Sequence, residues 1–171
     1  MHQDFSALLV KEIPFLRRFA RALAGDAALA DDLVQDCVER ALRKQHLYDE
    51  SRPLRAWLYA ILRNIHVSHW RKASHLGPMA DVDDLGAEAP ALEPQQEQNL
   101  SVALIADALD RLPPPQREVL VMVSLEELSY REAAEIIGVP IGTIMSRLSR
   151  ARSTLQALLE ERGTTVLRVV K

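Results

Sequence analysis

Cysteine, glycine and aromatic side chains are all scarce in this chain of 171 residues, which carries one Cys, six Gly, three Phe, two Trp and three Tyr. The lone Cys37 excludes an internal disulfide framework and fits a reducing cytoplasm. Few glycines and few aromatics argue against a β-rich fold. No apolar run approaches the roughly 18 residues needed to span a bilayer, so no membrane insertion is expected. The opening residues Met1 to Phe5 lack the basic and apolar regions of a secretory leader. No nucleophile–base arrangement and no glycine-rich phosphate loop is evident, so neither an enzyme nor a cofactor is expected.

Basic residues are missing from one stretch altogether. Residues 81–110 hold no Lys or Arg and eight Asp or Glu, a balance of -8. Residues 1–80 hold 12 basic and 9 acidic residues, and residues 111–171 hold 9 and 7. Two mildly basic blocks are thus joined by a purely acidic one. The net charge of -3 does not argue against nucleic-acid binding, because local patches decide affinity.

Both basic blocks show helical periodicity. In the first, Phe5, Leu8, Leu9, Ile13, Leu16, Phe19, Ala20 and Leu23 recur at helical spacing, with a kink or fresh start expected at Pro14. A second helix is predicted over 31–42, with Leu33, Val34, Cys37, Val38, Ala41 and Leu42 on its apolar side. Pro53 is placed to open a third over 54–72. Its apolar positions include Trp57, Leu58, Ile61, Leu62, Ile65 and Trp70, and its end is basic and aromatic. Trp57 and Tyr59 lie mid-helix, with core packing assigned to Trp57. Residues 74–99 carry Pro78, Pro90 and Pro94 without helical period and read as a flexible linker. Helices over 100–112 and 113–125 follow. The last helix should end at Arg162 and Gly163, leaving a tail of 163–171 without assignment.

The sharpest pattern lies between 129 and 152. Ser129 with Glu132 is a capping box that starts a helix. Gly138 suits the left-handed residue that ends it, and Pro140 suits the first turn of the next. Two short helices about a Gly turn form a helix-turn-helix, the arrangement that reads DNA. On its second helix Ile141, Ile144, Leu148, Ala151 and Leu155 share one face, and Ser146, Ser149, Arg150 and Ser153 share the other, flanked by Met145. No acid occurs between Glu135 and Glu160. A helix that faces water usually mixes charge signs, whereas one that faces phosphates excludes carboxylates. The expected fold is all-α: two small helical domains, 1–73 and 100–162, joined by an acidic linker.

These blocks, in this order, resemble the extracytoplasmic-function sigma factors of the sigma-70 family over nearly the whole chain. Asp32, Leu33, Gln35, Asp36, Arg40 and Ala41 resemble the family's polymerase-binding helix, and the run from Arg55 to Asn64 resembles its promoter-melting helix. Leu112 and Pro113, Arg117 to Leu120, Ser129 and Tyr130, Glu132 to Glu135, Gly142 to Ile144, Ser146 to Leu148 and Arg150 to Arg152 resemble the domain that reads the upstream promoter element. The resemblance implies a promoter-specificity subunit that binds core RNA polymerase, reads two promoter elements in duplex and melted DNA, and has an anti-sigma factor wedged between its domains.

Residue by residue, Ser146, Ser149 and Arg150 are then candidates for base edges in the major groove. Arg147 and Arg152 suit phosphates, and Thr143 suits a phosphate at the helix N-terminus. Met145 stands where the family often has a basic residue, so its contact is apolar, to a thymine methyl. Asn64 is implied to meet an unpaired base, in a pocket completed by Ser51 and Arg52. Arg71 and Trp70 belong to the same downstream element, although Trp70 equally suits capping the core. Asp32, Gln35, Asp36, Glu39 and Arg40 would ordinarily be a solvated helix face. The resemblance assigns them to the clamp helices of polymerase, where charged contacts set orientation and association rate. Asp81, Asp83, Asp84 and Glu88 of the linker would mimic RNA phosphates in a positive channel.

Simpler readings compete with some of these roles. His66, His69 and His75 lie close in sequence, but no second Cys and no matched carboxylate pair completes a zinc set, so no metal is expected. Cys37, on an apolar face, reads as a small core residue. Two other functions fit parts of the chain. A polymerase-independent helix-turn-helix regulator would leave the melting-helix pattern unexplained. A sigma mimic that only titrates an anti-sigma factor would leave the basic recognition helix unexplained.

Overall fold

A computed structural model describes residues 4–74 and 97–161. Among these residues the chain forms α1 (Phe5–Ala24), α2 (Ala27–Arg43), α3 (Leu54–Ser74), α4 (Glu97–Asp110), α5 (Pro114–Leu120), α6 (Tyr130–Ile137) and α7 (Ile141–Glu161), with no strand. The all-α architecture is therefore as the periodicity indicates. Of the expected linker, Ser74 closes α3 and residues 97–99 open α4; the rest, with its four phosphate-mimic acids and His75, lies outside the described residues, as does the tail.

Helix α1 runs through Pro14 without a fresh start. Both Pro14 and Val10, whose carbonyl loses its partner, are exposed, so water can satisfy the freed oxygen. Leu9 and Leu16, on either side, are buried and hold the helix against its neighbours. Gly25 ends α1 in the left-handed region at φ 69°, its N–H donating to the Arg21 carbonyl at 3.0 Å. Helix α2 begins four residues earlier than its apolar pattern suggests. The Asp26 carboxylate accepts the Leu29 N–H at 2.7 Å, and the alanines of the first turn propagate the helix readily. Leu42, expected on the apolar side, is 41% exposed because no neighbouring element covers the end of that face.

The first three helices pack on one another about Leu16, Phe19, Leu33, Cys37, Leu58 and Leu62, all fully buried. The Phe19 and Tyr59 rings stack with centroids 4.4 Å apart. Burial reverses one expectation: Tyr59 is fully buried, whereas Trp57 is half-buried in a surface cluster with Phe5 and Tyr48.

The second unit is built on α7. Leu112, Val119, Met122, Ile144 and Leu148 are buried, with α4, α5 and α6 all packed on α7. The Pro113 carbonyl accepts the Gln116 N–H at 2.9 Å, and Pro114 takes the first helical position, where a missing N–H is harmless. The helix expected over 113–125 changes character at Val121. Residues Val121–Leu125 form a π-helical turn, and Glu127 follows at φ 55°. The two units meet directly, α6 against α3 and the π turn against α1, within one continuous apolar cluster.

Candidate nucleic-acid interface

The helix-turn-helix forms as its sequence dictates. The Glu132 carboxylate accepts the Ser129 N–H at 2.8 Å, and the Ser129 hydroxyl oxygen accepts the Glu132 N–H at 3.2 Å. The Ser129 hydroxyl also donates to that carboxylate at 2.7 Å, and this bond, with the one from the Ser129 N–H, holds the Glu132 carboxyl below the usual carboxylate range. Gly138 closes α6 at φ 78°, its N–H donating to the Ala134 carbonyl at 2.8 Å. Pro140 stands just before α7 rather than inside it, and its carbonyl accepts the Thr143 N–H at 2.9 Å.

On α7 the buried face consists of Ile144, Leu148, Ala151 and Leu159, with Leu155 half-buried. Ile141 departs from the expected face and is 43% exposed, because the first helical residue projects beyond the cover of α6. Met145, Ser149, Arg150 and Arg152 are exposed, while Thr143, Ser146 and Arg147 are half-buried. The Ser146 hydroxyl donates to the Thr143 carbonyl at 3.0 Å, so its oxygen is left chiefly as an acceptor. The exposed side chains of the stripe are therefore Met145, Ser149, Arg150 and Arg152, with Met145 and Ser149 one helical turn apart.

The first unit leaves most of its predicted residues exposed. Asp32, Gln35, Asp36, Glu39 and Arg40 are all exposed along one side of α2, opposite Leu33, Val34 and Cys37. Around them Glu39 pairs with Arg43 at 3.0 Å, and the Asp36 carboxylate lies 3.7 Å from His69 Nε2. Asn64 is exposed on α3, and Ser51 and Arg52 are exposed in the loop before that helix. That loop is ordered by its own chemistry. The Asp49 carboxylate accepts the Ser51 N–H at 2.9 Å, and the Tyr48 hydroxyl donates to the Arg52 carbonyl at 2.7 Å. Farther along α3, Trp70 is half-buried and Arg71 exposed.

Burial sets two further groups. The Cys37 thiol is fully buried and pushed up to about 12 by desolvation, so it resists ionisation. Burial, with Arg117, His69 and Arg63 nearby, pushes His66 down to about 4, so it stays neutral at physiological pH.

The seam between the units pairs charged groups whose partners sequence patterns did not indicate. Arg18 Nε and Nη2 donate to the two Glu126 carboxylate oxygens at 2.8 and 2.9 Å. The Tyr59 hydroxyl donates to the same carboxylate. Arg63 Nε donates to Glu118 at 2.5 Å, with both side chains nearly buried. Arg117 Nη1 donates to the Leu23 carbonyl at 3.1 Å and lies 3.2 Å from the Asp110 carboxylate. Arg52 reaches Glu135 of α6 at 3.7 Å. Nothing in the periodicity marks Glu118 or Glu126 as buried, since each stands beside charged or apolar residues that fit a surface turn equally well.

Comparison with known proteins follows this division of the chain. Residues 9–63 match the model of the Sigma2 domain of PhyR, and residues 103–155 match that of Sigma-70, region 4. An ECF RNA polymerase sigma factor EcfG from Rhodopseudomonas palustris is 42% identical over 88% of this chain and 82% of its own length. An ECF RNA polymerase sigma factor SigL from Mycobacterium tuberculosis is 33% identical over 93% of this chain and 90% of its own. Among solved structures, the sigma factor RpoE in complex with the anti-sigma factor NepR from Bartonella quintana superposes with a TM-score of 0.77 at 39% identity, covering 92% of this chain and 97% of that one. These likenesses span both helical units and the order in which they occur, and the chain belongs to the extracytoplasmic-function RNA polymerase sigma factors of the sigma-70 family.

Proposed function

We propose that this chain binds core RNA polymerase and directs it to promoters by reading an upstream element with α7 and a downstream, melted element with α3. The observation that carries the reading is the composition of the exposed α7 stripe. Met145, Ser149, Arg150 and Arg152 project from a rigid, capped helix-turn-helix with no acid between Glu135 and Glu160. Arg150 is suited to a guanine edge and Ser149 to an adjacent base. Met145 offers a thymine methyl an apolar contact, and Thr143, Arg147 and Arg152 suit phosphates. Ser146 serves as an acceptor.

In the first unit Asn64 would hold a flipped base, aided by Ser51 and Arg52, with Trp70 and Arg71 farther along the strand. The acidic side of α2, from Asp32 to Arg40, would face the polymerase clamp helices. The working domain limits are 1–73 and 100–162. No bond is made or broken by the chain itself. An anti-sigma factor is expected to hold it inactive, as the NepR-bound relative suggests. None of the described helices is long and apolar enough to cross a membrane, and a cytoplasmic site of action fits the polymerase partner.

The test uses purified chain, core polymerase and a duplex library, followed by sequencing of bound DNA and permanganate mapping of unpaired thymines. Recovery of a shared two-part motif with opening in its downstream part is expected only when both proteins are present. Asp32→Lys with Asp36→Lys should weaken polymerase binding with helical content unchanged. The match to the Sigma2 domain of PhyR favours one rival, a sigma mimic. PhyR from Bartonella quintana is described as an anti-anti-sigma factor, although at 19% identity it shares only the fold. A mimic would recover no DNA motif with or without polymerase.

A further inference from the structure

We propose that Tyr48 is a positioning residue for downstream base choice: its hydroxyl clasps the loop before α3, so that Ser51 and Arg52 are in place before an unpaired base arrives. The inference rests on the function proposed above and names a residue on which its downstream specificity depends.

Residues 48–53 are bound into a ring by their own groups. The Tyr48 hydroxyl donates to the Arg52 carbonyl, four positions on, at 2.7 Å. Inside that span Asp49 accepts twice. Its carboxylate takes the Ser51 N–H at 2.9 Å, and its carbonyl takes the Arg52 N–H at 3.0 Å. Hydrogen bonds from the Ser51 side chain and backbone hold the Asp49 carboxyl below the usual carboxylate range. At the start of α3 the Trp57 N–H goes to the Pro53 carbonyl at 3.5 Å, which leaves the Arg52 carbonyl to Tyr48. Ser51 and Arg52 thus offer exposed side chains from a backbone tied on both sides.

The clasp holds because Tyr48 is itself held. Its ring packs against Phe5 of α1 and Trp57 of α3, with centroids 6.0 and 5.4 Å away. Those two rings meet edge-on at 6.3 Å. Arg55 ties the same end of α3 to α1. Its Nε donates to Glu12 at 2.6 Å, and its guanidinium lies 3.4 Å from the centre of the Phe15 ring. Burial, with Glu50, Asp49 and Glu12 nearby, raises the Tyr48 phenol above its usual range, so the hydroxyl keeps the proton it donates.

A loop that must order itself around a base loses binding free energy to that ordering, and a loop already ordered does not. The effect is selective. A wrong base leaves fixed polar groups unpaired, whereas a slack loop rearranges to meet it. One hydroxyl therefore governs base choice without touching the base. The Tyr48 ring alone would keep the packing and release the carbonyl.

The test compares the full-length wild type with Tyr48→Phe, which keeps the ring. In the free chain the Ser51 and Arg52 amides of the variant should exchange about fivefold faster, the factor of one ordinary hydrogen bond, with the amides of α2 and α3 unchanged. In holoenzyme, open complexes are then selected from a promoter library randomised in its downstream element and sequenced. The variant's preference for its favoured base at the captured position should fall about fivefold, with affinity for the upstream element unchanged. Wild-type exchange rates in the variant would overturn the clasp. A loosened loop with undiminished base preference would overturn the positioning role. Should Tyr48→Phe lose helicity, Asp49→Ala decides the matter, since that exposed side chain bonds the loop alone; an unchanged base preference there would also overturn the role. Wild-type holoenzyme without any downstream preference would overturn the proposed function and the positioning role together, whereas a preference kept equally by wild type and variants overturns the positioning role alone.

Discussion

Helices α3 and α7 are equally long, 21 residues each, yet the fold uses them in opposite ways. Helix α3 is enclosed by α1, α2 and α6, and its Leu58, Tyr59, Leu62 and Ile65 are all buried. Little of it is left for solvent beyond Asn64 and its basic end. Helix α7 takes α4, α5 and α6 on one side and leaves a full stripe open from Met145 to Gln156. A change in α3 therefore risks the fold, whereas a change on the α7 stripe tests recognition alone.

The hardest way to break this contrast is to empty the space beneath α3. Phe19→Ala removes a fully buried ring stacked on Tyr59 and should cost about 3–5 kcal/mol. Because Tyr59 reaches across the seam to Glu126, urea unfolding followed in both units should shift together. Leu148→Ala, beneath α7, should cost about 2–5 kcal/mol but should shift the second unit ahead of the first. Coincident transitions in Leu148→Ala would show that the units do not differ in this way.

Acidification probes α3 through His66, which is held neutral by burial down to about pH 4. Between that value and the ordinary value of 6.5, the unfolded chain binds a proton that the folded chain refuses. Stability should be fully present above pH 6.5 and fall as pH drops toward 4, by at most about 3 kcal/mol from this group. His66→Leu should flatten that slope in melts at pH 5 and pH 7. An unchanged slope would remove His66 as its source. No corresponding response is expected from the α7 stripe, which carries no histidine.

Recognition should separate the helices more finely. Arg150→Ala should weaken binding of holoenzyme to the upstream element by about 1–3 kcal/mol, the range of a bidentate base contact. Asn64→Ala should leave that binding nearly intact and lower the fraction of promoter opened. Permanganate reactivity per bound complex, beside a binding titration, reads the two effects apart. Equal losses of binding in both variants would erase the functional division between α3 and α7. The smallest effect belongs to the cap that orients α6 against α7: Ser129→Ala should cost about 1 kcal/mol of the second unit's stability and leave the first unit's unfolding unchanged.

How far each region was legible from its residues follows from the kind of force involved. The capping box, Gly138, and the buried face of Ile144, Leu148 and Ala151 were readable because each depends on neighbours within a few residues. So was the exposure of Asp32, Gln35, Asp36, Glu39 and Arg40, which follows from helical spacing opposite Leu33 and Cys37. Local rules failed where distant elements intervened. Of the kink or fresh start expected at Pro14, the fresh start does not occur, because its flanking apolar residues are held from outside the helix. Tyr59 rather than Trp57 became the buried aromatic, because its hydroxyl found a partner 67 positions away. The π turn interrupts a run that local propensity reads as plain helix.

The amino-acid sequence by itself determined the helices, their caps, the two basic units with an acidic stretch between them, and the polar stripe of α7. These rest on short-range periodicity, backbone capping and the local sign of charge. Only the tertiary structure decided which charges are buried. Glu118 and Glu126 become interior carboxylates because the second unit folds onto the first and brings Arg63, Arg18 and Tyr59 to them. A buried carboxylate is tolerable only with such partners, and partners separated by more than 50 residues leave no trace in periodicity.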